Sequence, residues 1–329
     1  MREQTTAYTS VLFPGQGSQE RGMGRDLAEA DAQIMDLWRS AEKKCKAGLR
    51  EIFWDGDEQA MTQTRYQQPA LFVTGISLWR HVAATLSPSF LAGHSVGEFT
   101  ALAAADVLAV EEALELVCLR GRLMFEAGEY RSGSMAAVLK LDEKQVRSIV
   151  RQAGEETGEE ICVANYNSPQ QIVISGARTA VDRALDMVRD MKGRGKELPV
   201  SGAFHSRLMQ EPAAELAKVM QKMDWHDPKI PVHLNVTAQP AKTPQEICEA
   251  MSTQMISPVL WSQLILDQWA RGARTWWELG PKGVLTRLMR HILSDQGDSW
   301  EADYICTQDA VAQVRERSNN HKGSLTWQA

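Results

Sequence analysis

Phe90-Leu91-Ala92-Gly93-His94-Ser95-Val96-Gly97-Glu98-Phe99-Thr100-Ala101-Leu102-Ala103-Ala104-Ala105 is the stretch that decides the fold of this chain. Phe90 to Ala92 reads as a short buried strand, and the alanine-rich run from Glu98 to Ala105 reads as a helix. Between them Gly93-His94-Ser95-Val96-Gly97 fits G-x-S-x-G, in which small residues on both sides let a sharp strand-to-helix turn hold a serine hydroxyl exposed. Ser95 is therefore a candidate nucleophile. The Val96 N–H would sit at a helix start, where unpaired donors and the helix dipole favour a developing oxyanion.

The same alternation extends outward. Tyr8 to Phe13 is a β-branched and apolar run that stops at Pro14-Gly15-Gln16-Gly17-Ser18-Gln19, a strand feeding a glycine-rich loop. Helical patterns are expected over Ala32 to Lys46, Gln68 to Thr85 and Val110 to Ala127, and again over Val284 to Leu293 after Gly280-Pro281-Lys282-Gly283. Buried strands are expected at Pro231 to Val236 and Thr275 to Leu279. Trp276 and Trp277 straddle the second of these, so their rings should face opposite sides. Strands alternating with helices imply an α/β fold whose mainly parallel sheet is covered on both faces.

Residues 133–202 keep a rhythm of their own. Strand Met135 to Leu141, helix Glu143 to Ala153, strands Glu160 to Asn165 and Gln171 to Ser175, helix Ala180 to Lys192 and strand Glu197 to Ser201 make β-α-β-β-α-β, the ferredoxin-like order. The expected organisation is a large subdomain from 1–132 and 203–310, a small inserted subdomain at 133–202, and a polar, aperiodic, flexible tail at 311–329.

Composition narrows the function classes. The 329 residues carry 36 Lys plus Arg against 42 Asp plus Glu, and the net charge of -6 gives no general attraction to nucleic acid or to anionic membranes. Cys45, Cys118, Cys162, Cys248 and Cys306 are odd in number and never spaced as CxxC, which argues against a disulfide framework or a zinc site and for a reducing cytoplasm. Neither a signal segment nor a run of about 18 apolar residues is present, so a soluble globular protein is expected.

A serine needs a base that is distant in sequence and near in space. Of the seven histidines, His81, His226, His291 and His321 lie in undistinguished helical or polar contexts, and His94, beside the serine, should point away from it. His233 alternates within a strand and reads as structural. His205, in Gly202-Ala203-Phe204-His205-Ser206, follows the last strand of the small subdomain where the chain returns to the large one, and is the best candidate. Gln16 lies in the loop after the first strand, where such sheets place ligand-contacting groups. For Arg120 and Arg122 the residues alone favour a solvated helix face.

Together the motifs resemble one family, the malonyl-CoA:acyl-carrier-protein transacylases of fatty-acid synthesis with the related polyketide acyltransferases. The resemblance runs from about Val11 to Ile292. It rests on Phe13-Pro14-Gly15-Gln16-Gly17-Ser18-Gln19, Gly93-His94-Ser95-Val96-Gly97-Glu98, Arg120-Gly121-Arg122-Leu123-Met124 and Asn165-Tyr166-Asn167-Ser168-Pro169. Phe204-His205-Ser206, Gln254 ahead of Ser257-Pro258-Val259, and Glu278-Leu279-Gly280-Pro281 complete it. Phe125 departs from the pattern, since many members have glutamine there.

The resemblance implies an α/β-hydrolase-like core with the ferredoxin-like insertion, and malonyl transfer between thiols by an acyl-serine, ping-pong route. It implies Ser95 as nucleophile, His205 as general base and acid, and the N–H groups of Gln16 and Val96 as oxyanion hole. Arg120 becomes the partner of the malonyl carboxylate, the Gln254 main-chain carbonyl orients the histidine, and Phe204 and Asn167 line the substrate pocket. Phe204 also matches the Ala-Phe-His form of malonyl-selective polyketide enzymes, where the ring would crowd a methyl branch. No metal or other cofactor is implied; the partners are malonyl-CoA and acyl carrier protein, met by a cytoplasmic monomer. Lys192, Arg194 and Lys196, with Arg287 and Arg290, are candidates for a basic rim that receives the acidic carrier. The competing readings are a discrete polyketide acyltransferase with the same residues, an acyl hydrolase, which needs no Arg120, and a non-enzymatic docking module.

Overall fold

In the computed structural model, which describes residues 7–56, 58–130, 133–200, 202–297 and 299–325 but not the side chains of 317–325, the first expected strand forms as β1 (Tyr8–Phe13). β1 is central to a five-stranded sheet of order β7-β2-β1-β8-β9, with β2 at Phe90–Gly93, β7 at Val232–His233, β8 at Ala273–Leu279 and β9 at Glu301–Ile305. Every pairing in this sheet is parallel, with Leu12 opposite Ala92 on one side and Glu278 on the other. Because side chains alternate across a strand, Val11, Phe13 and Leu91 enter one apolar layer while Leu12, Ala92 and Trp276 enter the other. Trp277 packs on the first layer, so the two tryptophan rings do face opposite sides.

The layers are covered by helices α1 (Arg25–Ala30), α2 (Ala32–Cys45), α3 (Glu58–Met61), α4 (Thr64–Leu86), α5 (Gly97–Ala104) and α6 (Val110–Tyr130). α7 (Glu143–Thr157) and α8 (Arg178–Asp190) belong to the inserted sheet, and α9 (Gln210–Met220), α10 (Pro244–Thr253), α11 (Trp261–Ala270) and α12 (Val284–Ile292) return to the large one. α4 is buried nearly all round, as a helix wedged between the sheet and α6 must be.

The inserted sheet is antiparallel, order β4-β5-β3-β6, from β3 (Gly133–Leu139), β4 (Ile161–Ser168), β5 (Gln171–Ala177) and β6 (Arg194–Glu197). Ala136, Val138, Ile172 and Ile174 face α7 and α8, while Met135, Ala137 and Val173 join the core of the large body. Reciprocal main-chain bonds, Tyr166 N–H to Val259 O at 2.9 Å and Val259 N–H to Ala164 O at 2.8 Å, tie β4 to the segment that follows α10.

Two expectations are corrected. The last strand of the insertion, expected at Glu197 to Ser201, lies at Arg194–Glu197; it is an exposed edge strand, and Ser201 is outside the described residues. The polar tail expected from 311 carries a helix, α13 (Gln308–Leu325), with Val311 and Val314 buried. Arg315 donates to the His81 carbonyl oxygen at the end of α4, and residues 326–329 are outside the description.

Candidate active site

Ser95 stands at the C-terminal end of β2, beside the loop that leaves β1, where the sheet continues to β2 on one side and to β8 on the other. Parallel sheets offer their ligand crevice at such a point. The turn requires glycine for space: a Cβ on Gly93 would lie 1.9 Å from the Gly97 carbonyl oxygen, and one on Gly97 would lie 2.1 Å from that of Phe13. Ser95 itself has φ 53°, a left-handed conformation that costs about 1–3 kcal/mol and is kept only where the surroundings impose it. Asn235 imposes it here, its Oδ1 accepting from the Ser95 N–H at 2.7 Å while its Nδ2 donates to the Gly93 oxygen at 2.7 Å.

His205 is also left-handed, at φ 58°, and its carbonyl is touched by the Cys162 thiol. Its Nε2 lies 2.8 Å from Ser95 Oγ, and its Nδ1 lies 3.0 Å from the carbonyl oxygens of both Gln254 and Ser257. Carbonyls only accept, so Nδ1 carries the proton and Nε2 presents its lone pair to the serine hydroxyl. Burial, then the positive charge of Arg120 and then His94, push the His205 pKa down to about 3, so the ring is neutral and ready to take a proton.

Arg120, on α6, is 1 % exposed. Its Nη1 donates to Gln68 Oε1 at 2.8 Å, and its Nη2 donates to Ser95 Oγ and to Gln254 Oε1, each at 3.0 Å. Nε is buried with no hydrogen-bond partner. Arg122, by contrast, lies at the surface in an ion pair with Glu126. The solvated-face reading thus holds for Arg122 and fails for Arg120. The Gln254 amide nitrogen donates to the Ser95 carbonyl at 2.9 Å and to Glu98 Oε2 at 2.6 Å, and Glu98 Oε1 accepts from the Asn235 N–H at 2.8 Å. Burial raises the Glu98 carboxyl to about 7 against the opposing effect of these bonds and of Arg120.

Ser95, Val96, His205, Arg120, Gln16 and Phe204 all border one cavity of about 160 Å³, between the large sheet and the inserted one. At ~30 Å³ per water that is room for about five water-sized groups, the scale of a short acyl chain. Neither the Gln16 N–H nor the Val96 N–H meets an acceptor among the described residues. The Gln16 side chain donates to Thr64 Oγ1 at 3.1 Å, which fixes the loop.

Two placements differ from expectation. His94 does not point away: its ring borders the same cavity, held by Asn167 Oδ1 at 2.8 Å and packed on Trp261 at 5.3 Å. Asn167 is accordingly one step behind the cavity, and Asn165 lines it from the same strand. Glu98, Asn235, Gln68 and Ser257 were not singled out; Glu98 stood next to the serine motif, but a glutamate in a helix's first turn reads as a dipole partner. Phe125 lies beneath the Arg65 guanidinium, 4.2 Å from the ring centroid. Of the candidate rim, Lys192, Arg194, Lys196, Arg287 and Arg290 are all exposed, and Arg194 shares a surface depression with Lys140, Leu288 and His291. Among the described residues no group of three or more His, Cys, Asp or Glu is placed to hold a metal ion, and no helix is long and apolar enough to cross a membrane.

Comparison with known proteins gives the family. The acyl transferase domain family matches residues 11–318. The malonyl CoA-acyl carrier protein transacylase of Bacillus subtilis is 37% identical over 314 residues, covering 94% of this chain and 98% of its own length. The crystal structure of the Xanthomonas oryzae malonyl-CoA:acyl carrier protein transacylase superimposes with a TM-score of 0.88 at 35% identity, covering 95% and 99% of the two chains. A malonyl-transacylase solved in complex with a type II polyketide acyl-carrier protein superimposes with a TM-score of 0.87 at 31% identity, covering 94% of this chain and 100% of that one. With a serine elbow at the switch point of the sheet, a histidine seated on it and a family match across nearly the whole chain, this protein belongs to the acyl transferase domain family.

Proposed function

We infer that this chain moves a malonyl group from malonyl-CoA to the phosphopantetheine thiol of acyl carrier protein through a malonyl ester on Ser95, supplying fatty-acid synthesis. The observation that carries this reading is Arg120. A buried guanidinium beside the serine oxygen, with one N–H unpaired, is costly unless a ligand brings the missing charge. A malonyl thioester brings it, a carboxylate one carbon away from the carbonyl under attack.

The chemistry follows from the distances. His205 Nε2 takes the Ser95 proton as Oγ attacks the thioester carbonyl, and the oxyanion develops toward the N–H groups of Gln16 and Val96, each such donor being worth ~10²- to 10³-fold in rate. His205 returns the proton to the departing CoA sulfur. The thiol of the carrier's phosphopantetheine then attacks the ester, and the same steps run in reverse. Arg120 is one cause of the depressed basicity of His205, so a bound carboxylate that offsets its charge strengthens the base as substrate arrives. The route draws on no metal or redox cofactor. We take the enzyme to act as a cytoplasmic monomer, with the carrier received along the rim of Lys192, Arg194, Lys196, Arg287 and Arg290.

Arg120→Ala tests this. It removes both the attraction for malonyl and the penalty for leaving arginine unpaired beside acetyl, so the ratio of kcat/KM for malonyl-CoA over acetyl-CoA should fall by at least ~10-fold. Arg122→Ala, at an exposed position, should leave that ratio unchanged. Equal slowing of both substrates by Arg120→Ala would remove the main chemical support for malonyl.

A further inference from the structure

The Nη2 of Arg120 that touches Ser95 Oγ also rests on a carboxamide, that of Gln254, which in turn holds the Ser95 main chain. A carboxamide can sit in either of two orientations related by a half turn, and its neighbours choose between them. On its nitrogen side Gln254 meets two acceptors, the Ser95 carbonyl at 2.9 Å and Glu98 Oε2 at 2.6 Å; on its oxygen side it meets Arg120 Nη2 at 3.0 Å. Glu98 is 1 % exposed and cannot rotate away, because its other oxygen accepts from the Asn235 N–H at 2.8 Å. Glu98 and Arg120 are thus opposite charges separated by one amide, and neither has another buried counter-charge among the described residues.

We propose that Glu98 is a positioning residue: its carboxylate locks the Gln254 carboxamide with the oxygen toward Arg120, and so keeps the guanidinium aimed at the acyl group. This rests on the reading of Arg120 as partner of the substrate carboxylate. It assigns Glu98 to selectivity and not to the serine–histidine pair, because His205 is held by the main-chain carbonyls of Gln254 and Ser257, which do not depend on the carboxamide's orientation. An ionised Glu98 can only accept; a protonated one, or a glutamine, can also donate, which leaves the Ser95 carbonyl as the one obligate acceptor on the amide's nitrogen side and loosens the amide oxygen's hold on Arg120.

The test measures acyl-enzyme formation from malonyl-CoA and from acetyl-CoA by intact mass against time. Glu98→Gln should lower kcat/KM for malonyl by about tenfold or more, chiefly through KM, with acetyl changed by less than about threefold, since one charge-assisted contact to the arginine side is lost. In an Arg120→Ala background Glu98→Gln should not change the malonyl-to-acetyl ratio further. The wild-type protein supplies a test that needs no variant. Among the described residues Arg120 is the one charged side chain whose field reaches Glu98, and the neighbouring His205 and His94 are both lowered from the ordinary histidine value, so the malonyl-to-acetyl ratio should fall as pH is lowered through about 7. Equal loss on both substrates in Glu98→Gln, or a ratio flat with pH, overturns the proposal. If Arg120→Ala alone leaves the ratio at its wild-type value, the failure lies in the reading of Arg120, and the proposal falls with it.

Discussion

In the proposed reading Phe204 sets a limit on the substrate. Its ring is 4 % exposed and borders the cavity directly before His205 in the chain, so a methyl branch on the carbon between the two malonyl carbonyls would have to displace it. Phe204→Ala should raise the kcat/KM of a methyl-branched malonyl-CoA relative to malonyl-CoA by ~10-fold or more, the usual worth of one methyl group in an apolar pocket. A ratio unmoved by the truncation would place the branch elsewhere. The residues that the fold brings together at the site were legible in sequence for different reasons. Ser95 was marked by local turn chemistry, and His205 by its place at the return from the insertion. Arg120 was not legible from its own surroundings, because an arginine on a helix with alternate charges around it looks solvated until α4 and Gln254 are folded over it. Glu98 and Asn235 were hidden for the same reason: their partners are more than 130 positions away or lie in the turn they support.

The elbow carries the most constraint among the elements. β2 ends and α5 begins within a few residues, and backbone oxygens fill the space where side chains at Gly93 and Gly97 would stand. Gly93→Ala should therefore displace the turn and cut acylation of Ser95 by more than ~10²-fold, while Gly158→Ala, at a helix end with open space, should cost only about 1 kcal/mol of stability and leave activity intact. Comparable activity in Gly93→Ala and wild type would refute the steric account of the turn. Strong periods located β1, β2, α5 and α6 to within a few residues of the observed ends. Errors came where an element bends to serve the site. α4 begins at Thr64, four positions before the expected start, and runs across Pro69, placing Gln67 and Gln68 by the cavity. The apolar run Leu198-Pro199-Val200 looked like strand and lines the cavity instead. β7 is shorter than expected because Asn235 leaves the ladder to hold the elbow.

Over the whole molecule, two sheets share one apolar body and the site lies where they meet, which gives burial a price in protons. His205 and His233 are buried, with pKa values pushed down to about 3 and about 4, and His94 is lowered as well. The unfolded chain binds protons at these positions below about 6.5 while the folded chain does not. Their contribution to stability is therefore complete above about 6.5 and is lost progressively as pH falls toward the folded values. Glu98 runs the other way, being raised to about 7, and weakens the fold as pH rises from its unfolded value to about 7. With three histidines and the lowered carboxyls of Glu42 and Asp267 on one side and the raised carboxyls of Glu98 and Glu278 on the other, thermal unfolding should shift to lower temperature between pH about 6.5 and about 4, and a Tm constant across that window would contradict the burial described. The α/β class, the central strand and the β-α-β-β-α-β insertion were legible because each rests on a local period, whereas β9 and α13 were not, since Glu301–Ile305 is exposed along most of its length and, among the described side chains of α13, Val311 and Val314 stand buried in an otherwise polar run. The central claim, a malonyl group carried on Ser95 and passed to a second thiol, is tested most directly by intact mass spectrometry of the protein mixed first with malonyl-CoA and then with phosphopantetheinylated acyl carrier protein. One malonyl mass should appear on the enzyme, map to Ser95, be absent in Ser95→Ala, and move to the carrier on its addition; an adduct that persists in Ser95→Ala, or that is released only to water, would contradict it.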